Sequence, residues 1–205
     1  MGIALPLLFC LFVIVLVFAF LDYMDFLKKP EVKVDTLEGD TYIVYTFQGS
    51  LADTTRCTEY ALNHMKFVLG RLFYFPKVLC FYHSLPEGNQ IPGKFTLMFP
   101  IGDKPVLQKL LADLSDKKLL TVFQTPALRA ITSSYPYHNL LSYSLGQIRV
   151  HPSILRFAKT SGIEDVSTMI EVYETNQPIR YYLILEKTNL FDLLRNGYVI
   201  SADSM

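Results

Sequence analysis

Tyr42-Ile43-Val44-Tyr45-Thr46-Phe47 is an unbroken run of β-branched and aromatic residues, the composition of a strand. Behind it, from about Thr54 to Leu72, Cys57, Ala61, Met65, Val68 and Leu72 recur every three or four positions. That spacing draws one apolar stripe on a helix, with Asp53 in place as its cap. Val78–His83 and Phe95–Phe99 then read as two further strands. The same order returns in the second half. Leu128–Ser133 is a strand, and a helix starts near Asn139 with Leu140, Leu141, Leu145 and Ile148 as its apolar stripe. Pro152 is expected to kink or divide that helix near His151. Thr168–Thr175 and Ile179–Glu186 form a hairpin across Asn176-Gln177-Pro178. Between the sets, Pro105 opens a short helix carrying Val106, Leu107, Leu110, Leu111 and Leu114, and Leu119–Phe123 is a bridging strand. Two β-α-β-β units side by side predict an α+β domain, an antiparallel sheet with the helices on one face.

The N-terminus reads differently. Met1 to Leu21 holds no charged side chain, and Ile3 to Leu21 would span just under 30 Å at ~1.5 Å per residue, enough for a hydrocarbon core. A cleaved signal peptide would want a basic start and a shorter apolar run, although Val17-Phe18-Ala19 resembles a cleavage site. The first basic residues, Lys28, Lys29 and Lys33, all follow the span. The positive-inside rule therefore expects an uncleaved anchor with the rest of the chain in the cytosol. The expected layout is an anchor over residues 1–27, a tether over 28–40, the folded domain over 41–187 and a short tail over 188–205.

Composition narrows the function. The 205 residues carry 19 basic and 19 acidic side chains and no basic block, so no nucleic-acid partner is evident. Three cysteines, at 10, 57 and 80, form neither a paired framework nor a metal-ligand spacing, and no Asn-x-Ser/Thr acceptor site occurs. Both facts fit a cytosolic domain. The chain has no G-x-S-x-G, H-E-x-x-H, C-x-x-C or Gly-rich phosphate loop, and it reads as a non-enzyme without a cofactor. The four histidines, 64, 83, 138 and 151, are scattered, and His151 reads as part of a helix break at Pro152 rather than as chemistry.

One strand is more informative. In Met169-Ile170-Glu171-Val172-Tyr173-Glu174 alternate side chains face opposite ways. With Ile170 and Val172 packed on the helices, Met169, Glu171 and Tyr173 share the other face near the junction of the repeats. Glu171 and Tyr173 are thus a candidate cleft for a cation, held by charge and ring contact. The plainer reading is an exposed carboxylate on a half-solvated sheet.

Tyr135-Pro136-Tyr137, Leu141-Ser142 and above all Arg149-Val150-His151-Pro152 carry a resemblance that covers nearly the whole chain. In these residues the chain resembles the testis-expressed protein 264 family, single-pass receptors for autophagy of the endoplasmic reticulum. Their cytosolic domain is similar to the bacterial gyrase-inhibitor-like (GyrI-like) ligand-binding domains. Tyr45, Phe47 and Gly49 fit the first strand, and Glu171-Val172-Tyr173 a late one. The resemblance implies an adaptor in the endoplasmic-reticulum membrane, with ubiquitin-like autophagosome proteins and the valosin-containing segregase as partners. The alternative it leaves is a membrane-tethered small-molecule sensor. Family members carry their autophagy motif in a long, acidic, Ser-rich tail, where this chain has residues 188–205. Bacterial relatives with hydrolytic or drug-binding activity lean on Trp as well as Glu, and this chain has no Trp.

Phe191-Asp192-Leu193-Leu194 matches an aromatic-x-x-aliphatic motif, which binds as an added edge strand with Phe191 and Leu194 in two pockets. Phe75–Val78, Tyr137–Leu140 and Tyr182–Leu185 match too, but within or beside predicted elements. The receptor reading requires Phe191 and Leu194 to be exposed. The competing reading folds both back onto the domain.

Overall fold

Helix α1 (Ala4–Tyr23) precedes strands β1 (Lys33–Leu37) and β2 (Thr41–Gly49), helix α2 (Thr54–Leu69), and strands β3 (Lys77–Tyr82), β4 (Gly93–Pro100) and β5 (Thr121–Gln124). Strand β6 (Leu128–Tyr135), helix α3 (Leu141–Thr160) and strands β7 (Met169–Glu174), β8 (Ile179–Ile184) and β9 (Val199–Ser201) follow. This computed structural model describes residues 4–49, 53–70, 76–83, 93–101, 121–163, 168–186, 194 and 199–201. The short helix expected from Pro105 lies outside them.

The chain has the expected α+β architecture, and the repeat is present as β2-α2-β3-β4 and β6-α3-β7-β8. The strands form one sheet in the order β1-β6-β8-β7-β3-β4-β2-β5, with β9 parallel to β2 beyond that path. The halves meet where β3 pairs antiparallel with β7, Lys77 opposite Glu174 through Tyr82 opposite Met169. Each helix packs on its own half. Cys57, Ala61, Met65 and Leu69 of α2 sit on Ile43, Tyr45 and Phe47. Val150, Ile154 and Ala158 of α3 sit on Ile131, Tyr181 and Leu183. Cys80 of the first cluster lies opposite Glu171, whose contacts run to α3, so both helices occupy one face of the sheet.

The other face is also dry. Tyr42, Val44, Leu79, Phe81, Ile170, Val172 and Tyr182 form a third buried cluster there, joined by Leu194. With both faces covered, β2 is buried at nearly every position and its alternation separates two apolar sets rather than apolar from polar.

Several local expectations are corrected. Helix α2 ends at Leu69, three residues early, because Gly70 takes a positive-φ conformation (φ 56°) and its N–H closes on the Lys66 carbonyl. Asp53 holds the N-cap position without a side-chain cap bond and pairs with Arg56 at 3.3 Å instead. Pro152 does not divide α3, which is continuous from Leu141 to Thr160. A proline in a helix interior costs about 3 kcal/mol. Burial of Val150, Ile154 and Ala158 around it is larger, at roughly 1.5–3 kcal/mol for each Val or Ile side chain.

Of the expected apolar stripe of α3 only Leu145 packs against the core. The helix's buried positions are Ser142, Gly146, Val150, Ile154 and Ala158, while Leu140, Leu141 and Ile148 are 76%, 54% and 61% exposed. Small residues face the sheet because the helix lies very close to it. A Cβ on Gly146 would stand 2.3 Å from the Tyr181 hydroxyl and 3.2 Å from Tyr135.

The tether and tail are structured as well. Lys33–Leu37, expected as part of a linker, forms β1 and pairs with β6, Lys33 opposite Thr132 through Leu37 opposite Leu128. Val199–Ser201, expected in a free tail, adds β9 beside Thr46–Gln48. The folded domain thus reaches beyond 41–187 at both ends.

Helix α1 is long and apolar enough over Pro6–Tyr23 to cross a membrane, and none of that stretch is buried in the domain. It ends in an elbow. Asp25 adopts φ 55°, Asp25 N–H donates to the Asp22 carbonyl and Phe26 N–H to the Leu21 carbonyl, each at 2.9 Å. This is the double closure usually made around a glycine. The left-handed Asp25 is held by its side chain, which pairs with Lys28 and with His138 Nε2 at 3.2 Å. These two partners keep the Asp25 carboxyl below the usual range. Met24 is fully buried, and its carbonyl accepts the Tyr135 hydroxyl at 2.5 Å. Arg149 closes the elbow, donating to the Lys28 carbonyl at 3.0 Å with its guanidinium 5.2 Å from the centre of the Phe26 ring.

Candidate functional site

Glu171 occupies the middle of β7, fully buried at the seam between the halves. Strand pleating puts it on the face that carries Met169 and Tyr173, as the sequence implied. That face is the helix-bearing one, however. Ile170 and Val172 pack into the opposite cluster, so the expected assignment of faces is inverted. The reason is physical: with both faces of the sheet dry, apolar neighbours do not reveal which face meets the helices.

A buried carboxylate without hydrogen bonds would cost several kcal/mol or be forced neutral. Four side chains meet this one. His151 Nε2 lies 2.8 Å from Oε1, and Gln147 Nε2 lies 3.1 Å from both oxygens. Tyr82 donates its hydroxyl to Oε2 at 3.0 Å, and Tyr173 donates to the same oxygen. Gln147 and His151 stand four apart on α3, so one helical face presents both. Tyr82 reaches in from β3 and Tyr173 from β7 itself, which joins the two halves of the fold on one carboxylate.

The surroundings keep the hydroxyls protonated. Burial first, and then neighbouring Cys80 and Glu171, push the Tyr82 hydroxyl well above its usual value. Burial followed by the charge of Glu171 does the same for Tyr173 and Tyr181. The Cys80 thiol, opposite Glu171, is raised by the same two causes and stays neutral. The Tyr181 ring stands edge-on to His151 at 5.4 Å, and its buried hydroxyl has no hydrogen-bond partner among the described residues.

Aromatic rings lead from this centre to the surface. Tyr173 meets Tyr143 edge-on at 5.2 Å, and Tyr143 meets Tyr137 at 5.4 Å. Tyr137 is 40% exposed.

The structure brings together Glu171 and Tyr173, the two residues expected from the sequence, and adds Gln147, His151 and Tyr82, which the sequence reading did not place beside them. The i, i+4 spacing of Gln147 and His151 was a usable signal. A break at Pro152 would have hidden that pairing, and no break occurs. The tail motif fares differently. Leu194 is only 4% exposed and packs in the cluster on the far face of the sheet, so it is not free to fill a partner's pocket as placed. Phe191 lies outside the described residues.

The sequence matches no protein-family model and no curated protein. Solved structures do resemble the fold. The crystal structure of the EcmrR C-terminal domain matches over 78% of this chain and 99% of its own, at 9% identity and a TM-score of 0.54. EcmrR in its DNA complex matches over 75% of this chain and 56% of that one, at 10% identity and a TM-score of 0.52. SAV2435 bound to tetraphenylphosphonium covers 78% and 96%, at 13% identity and a TM-score of 0.46, a likeness too loose to carry functional meaning. At such identities the likeness concerns the fold. It supports the GyrI-like half of the expected resemblance and gives nothing for the testis-expressed protein 264 half.

Proposed function

We propose that this chain is a membrane-tethered small-molecule-binding module, in which Glu171 receives the positive charge of a cationic, partly aromatic guest. The observation that carries the reading is a fully buried carboxylate at the seam of two repeats, among Tyr82, Tyr173 and Tyr181, where a cationic guest would take the place that His151 and Gln147 hold on it. A carboxylate in a dry aromatic surround attracts a cation more strongly than water does, because charge and ring faces act together at low dielectric. Tyr181 adds a hydroxyl in search of a partner. Admission of a guest displaces Tyr173 or parts α3 from the sheet, since Glu171 is closed to solvent. Helix α1 is the tether, with the domain on the side of Lys28 and Lys29, the cytosolic side by the positive-inside rule.

The test uses the full chain in detergent micelles, with tetraphenylphosphonium as the cationic probe and triphenylphosphine oxide as the neutral one. Glu171→Gln is expected to weaken the cation about tenfold or more, roughly 1.4 kcal/mol, while leaving the neutral probe within about twofold of the parent. Equal loss of both, or no binding of the cation by the parent chain, would overturn the reading.

A further inference from the structure

Of the four apolar residues that sequence periodicity assigns to the core of α3, Leu145 packs against it, while Leu140, Leu141 and Ile148 are on the outside. Leu140 and Leu141 are 76% and 54% exposed, Tyr137 40%, and Ile148, two turns further on, 61%. Leu27 and Tyr23, at the end of α1, are 50% and 62% exposed. The two groups adjoin. The Tyr23 ring lies 5.2 Å from the ring of His138, and Asn139 Nδ2 lies 3.5 Å from the Met24 sulfur. The start of α3 is fixed in that position. Asn139 Oδ1 accepts the Leu141 N–H at 2.9 Å, and Ser142 Oγ accepts the His138 N–H at 2.9 Å.

We infer that the corner bearing Tyr137, Leu140 and Leu141 lies in the interfacial layer of the bilayer that α1 enters, so that the domain rests on the membrane by this face. The inference rests on the reading of α1 as a membrane anchor. Three observations single out lipid as the occupant. The patch is continuous with the end of an apolar helix, one ring contact from Tyr23. The elbow of Met24, Asp25 and Arg149 holds it there, so it does not swing clear. The first turn of α3 carries no acid, and Asp25, the carboxylate paired across to this corner, already holds Lys28 and His138. An interfacial segment has this character, with leucines and tyrosines in the acyl boundary and basic residues at its rim.

The experiment places an environment-sensitive fluorophore on a cysteine at position 140 (Leu140→Cys) or, for comparison, at position 67 (Phe67→Cys), an α2 residue that is 88% exposed. Both are made in a Cys10→Ala background, since Cys57 and Cys80 are buried. The full chain is reconstituted into phosphatidylcholine vesicles with or without spin-labelled lipid. The label at 140 is expected to shift to the blue and to lose more than half its emission to the lipid quencher, and the label at 67 to do neither. Quenching at 140 is expected to vanish in a Leu141→Glu, Ile148→Glu background. A chain that floats with the vesicles while its label at 140 answers only to aqueous iodide would overturn the inference and leave the anchor standing. A blue shift at 140 without lipid quenching would assign the face to a protein partner and overturn it equally. A chain that does not float would remove the anchor reading itself.

Discussion

Cys80 and Glu171 face one another across the ladder that joins β3 to β7. With Pro100 matched to Ile184, the ends of β4 and β8, the register of the first half pairs Cys80 with Leu97 and that of the second pairs Glu171 with Tyr181. Leu97 and Tyr181 each stand three residues before their strand end, so the two halves equate Cys80 with Glu171. The pseudo-two-fold axis passes between them, and one half places a neutral thiol where the other places a carboxylate. A symmetric pair of carboxylates would stand roughly 5 Å apart at Cα.

Cys80→Asp is therefore expected to destabilise by about 3–5 kcal/mol at pH 7, the cost of a buried charge without a counter-charge. Cys80→Ser is expected to cost far less. The aspartate deficit should shrink as the pH falls, because the mutual repulsion ends when one of the pair takes a proton. Chemical denaturation of the parent and both variants at pH 5 and pH 7.5 checks it. A deficit independent of pH would mean that steric fit, not charge, sets the residue at the axis.

Gly146→Ala places a methyl group 2.3 Å from the Tyr181 hydroxyl and 3.2 Å from Tyr135. Helix propensity alone favours alanine by about 1 kcal/mol, yet overpacking is expected to win and leave a net loss of roughly 1–3 kcal/mol. Tyr181→Phe removes the offending oxygen, which has no partner to lose among the described residues. A double-mutant cycle should show that adding Tyr181→Phe recovers a large part of the alanine penalty. Additive losses would count against the close approach.

Buried tyrosines predict the alkaline limit. Burial raises the Tyr42 hydroxyl to about 12, and raises Tyr45, Tyr82 and Tyr181 as well. A group raised above its unfolded value of about 10 contributes stability below pH ~10, and that contribution is lost as pH climbs through the folded value. Absorbance of tyrosinate at 295 nm should rise in part near pH 10, from exposed rings, and then cooperatively with the loss of ellipticity at higher pH. A single non-cooperative rise, finished before unfolding, would contradict the burial of these hydroxyls.

Leu194 gives a direct comparison between two fates for the C-terminal segment. Its side chain is 4% exposed among Tyr42, Leu79, Phe81 and Met98. Leu194→Ala is expected to lower stability by roughly 2–4 kcal/mol. Titration with ubiquitin-like autophagosome proteins should show the parent domain binding more weakly than a free peptide of residues 188–198. Unchanged stability, with equal binding by domain and peptide, would restore the exposed motif.

What the sequence made legible was local. The strand-helix-strand-strand order, twice over, followed from runs such as Tyr42–Phe47 and from stripes such as Cys57, Ala61 and Met65, because near neighbours in the chain decide those patterns. What it obscured was which side of an element meets which layer. Ile170 and Val172 are as apolar as Met169, and only the far cluster under the sheet distinguishes them. On α3 the residue chemistry ran opposite to the burial, with Ser142 and Gly146 inside and Leu140 and Leu141 outside. A helix so close to Tyr181 has room only for small side chains there. The edge strand Lys33-Val-Asp-Thr-Leu37 went unseen because its burial is that of a linker, exposed at four positions of five. At the site, Glu171 and Tyr173 were readable from one strand, while Tyr82 lies 89 residues from Glu171 in sequence and only the fold brings the two together.

The elbow at Met24–Lys28 has a mechanical consequence. A flexible coil over residues 28–40 would let the domain wander through about 20 Å and turn freely. Here the carbonyls of Met24 and Lys28 are gripped by Tyr135 and Arg149, and β1 is laced into the sheet a few residues later. Rotation of α1 about its own axis is thus geared to rotation of the whole sheet. A neighbouring helix that gripped one side of α1 would set the azimuth of the domain, and so choose which flank it turns toward an adjacent molecule, without ever touching the domain.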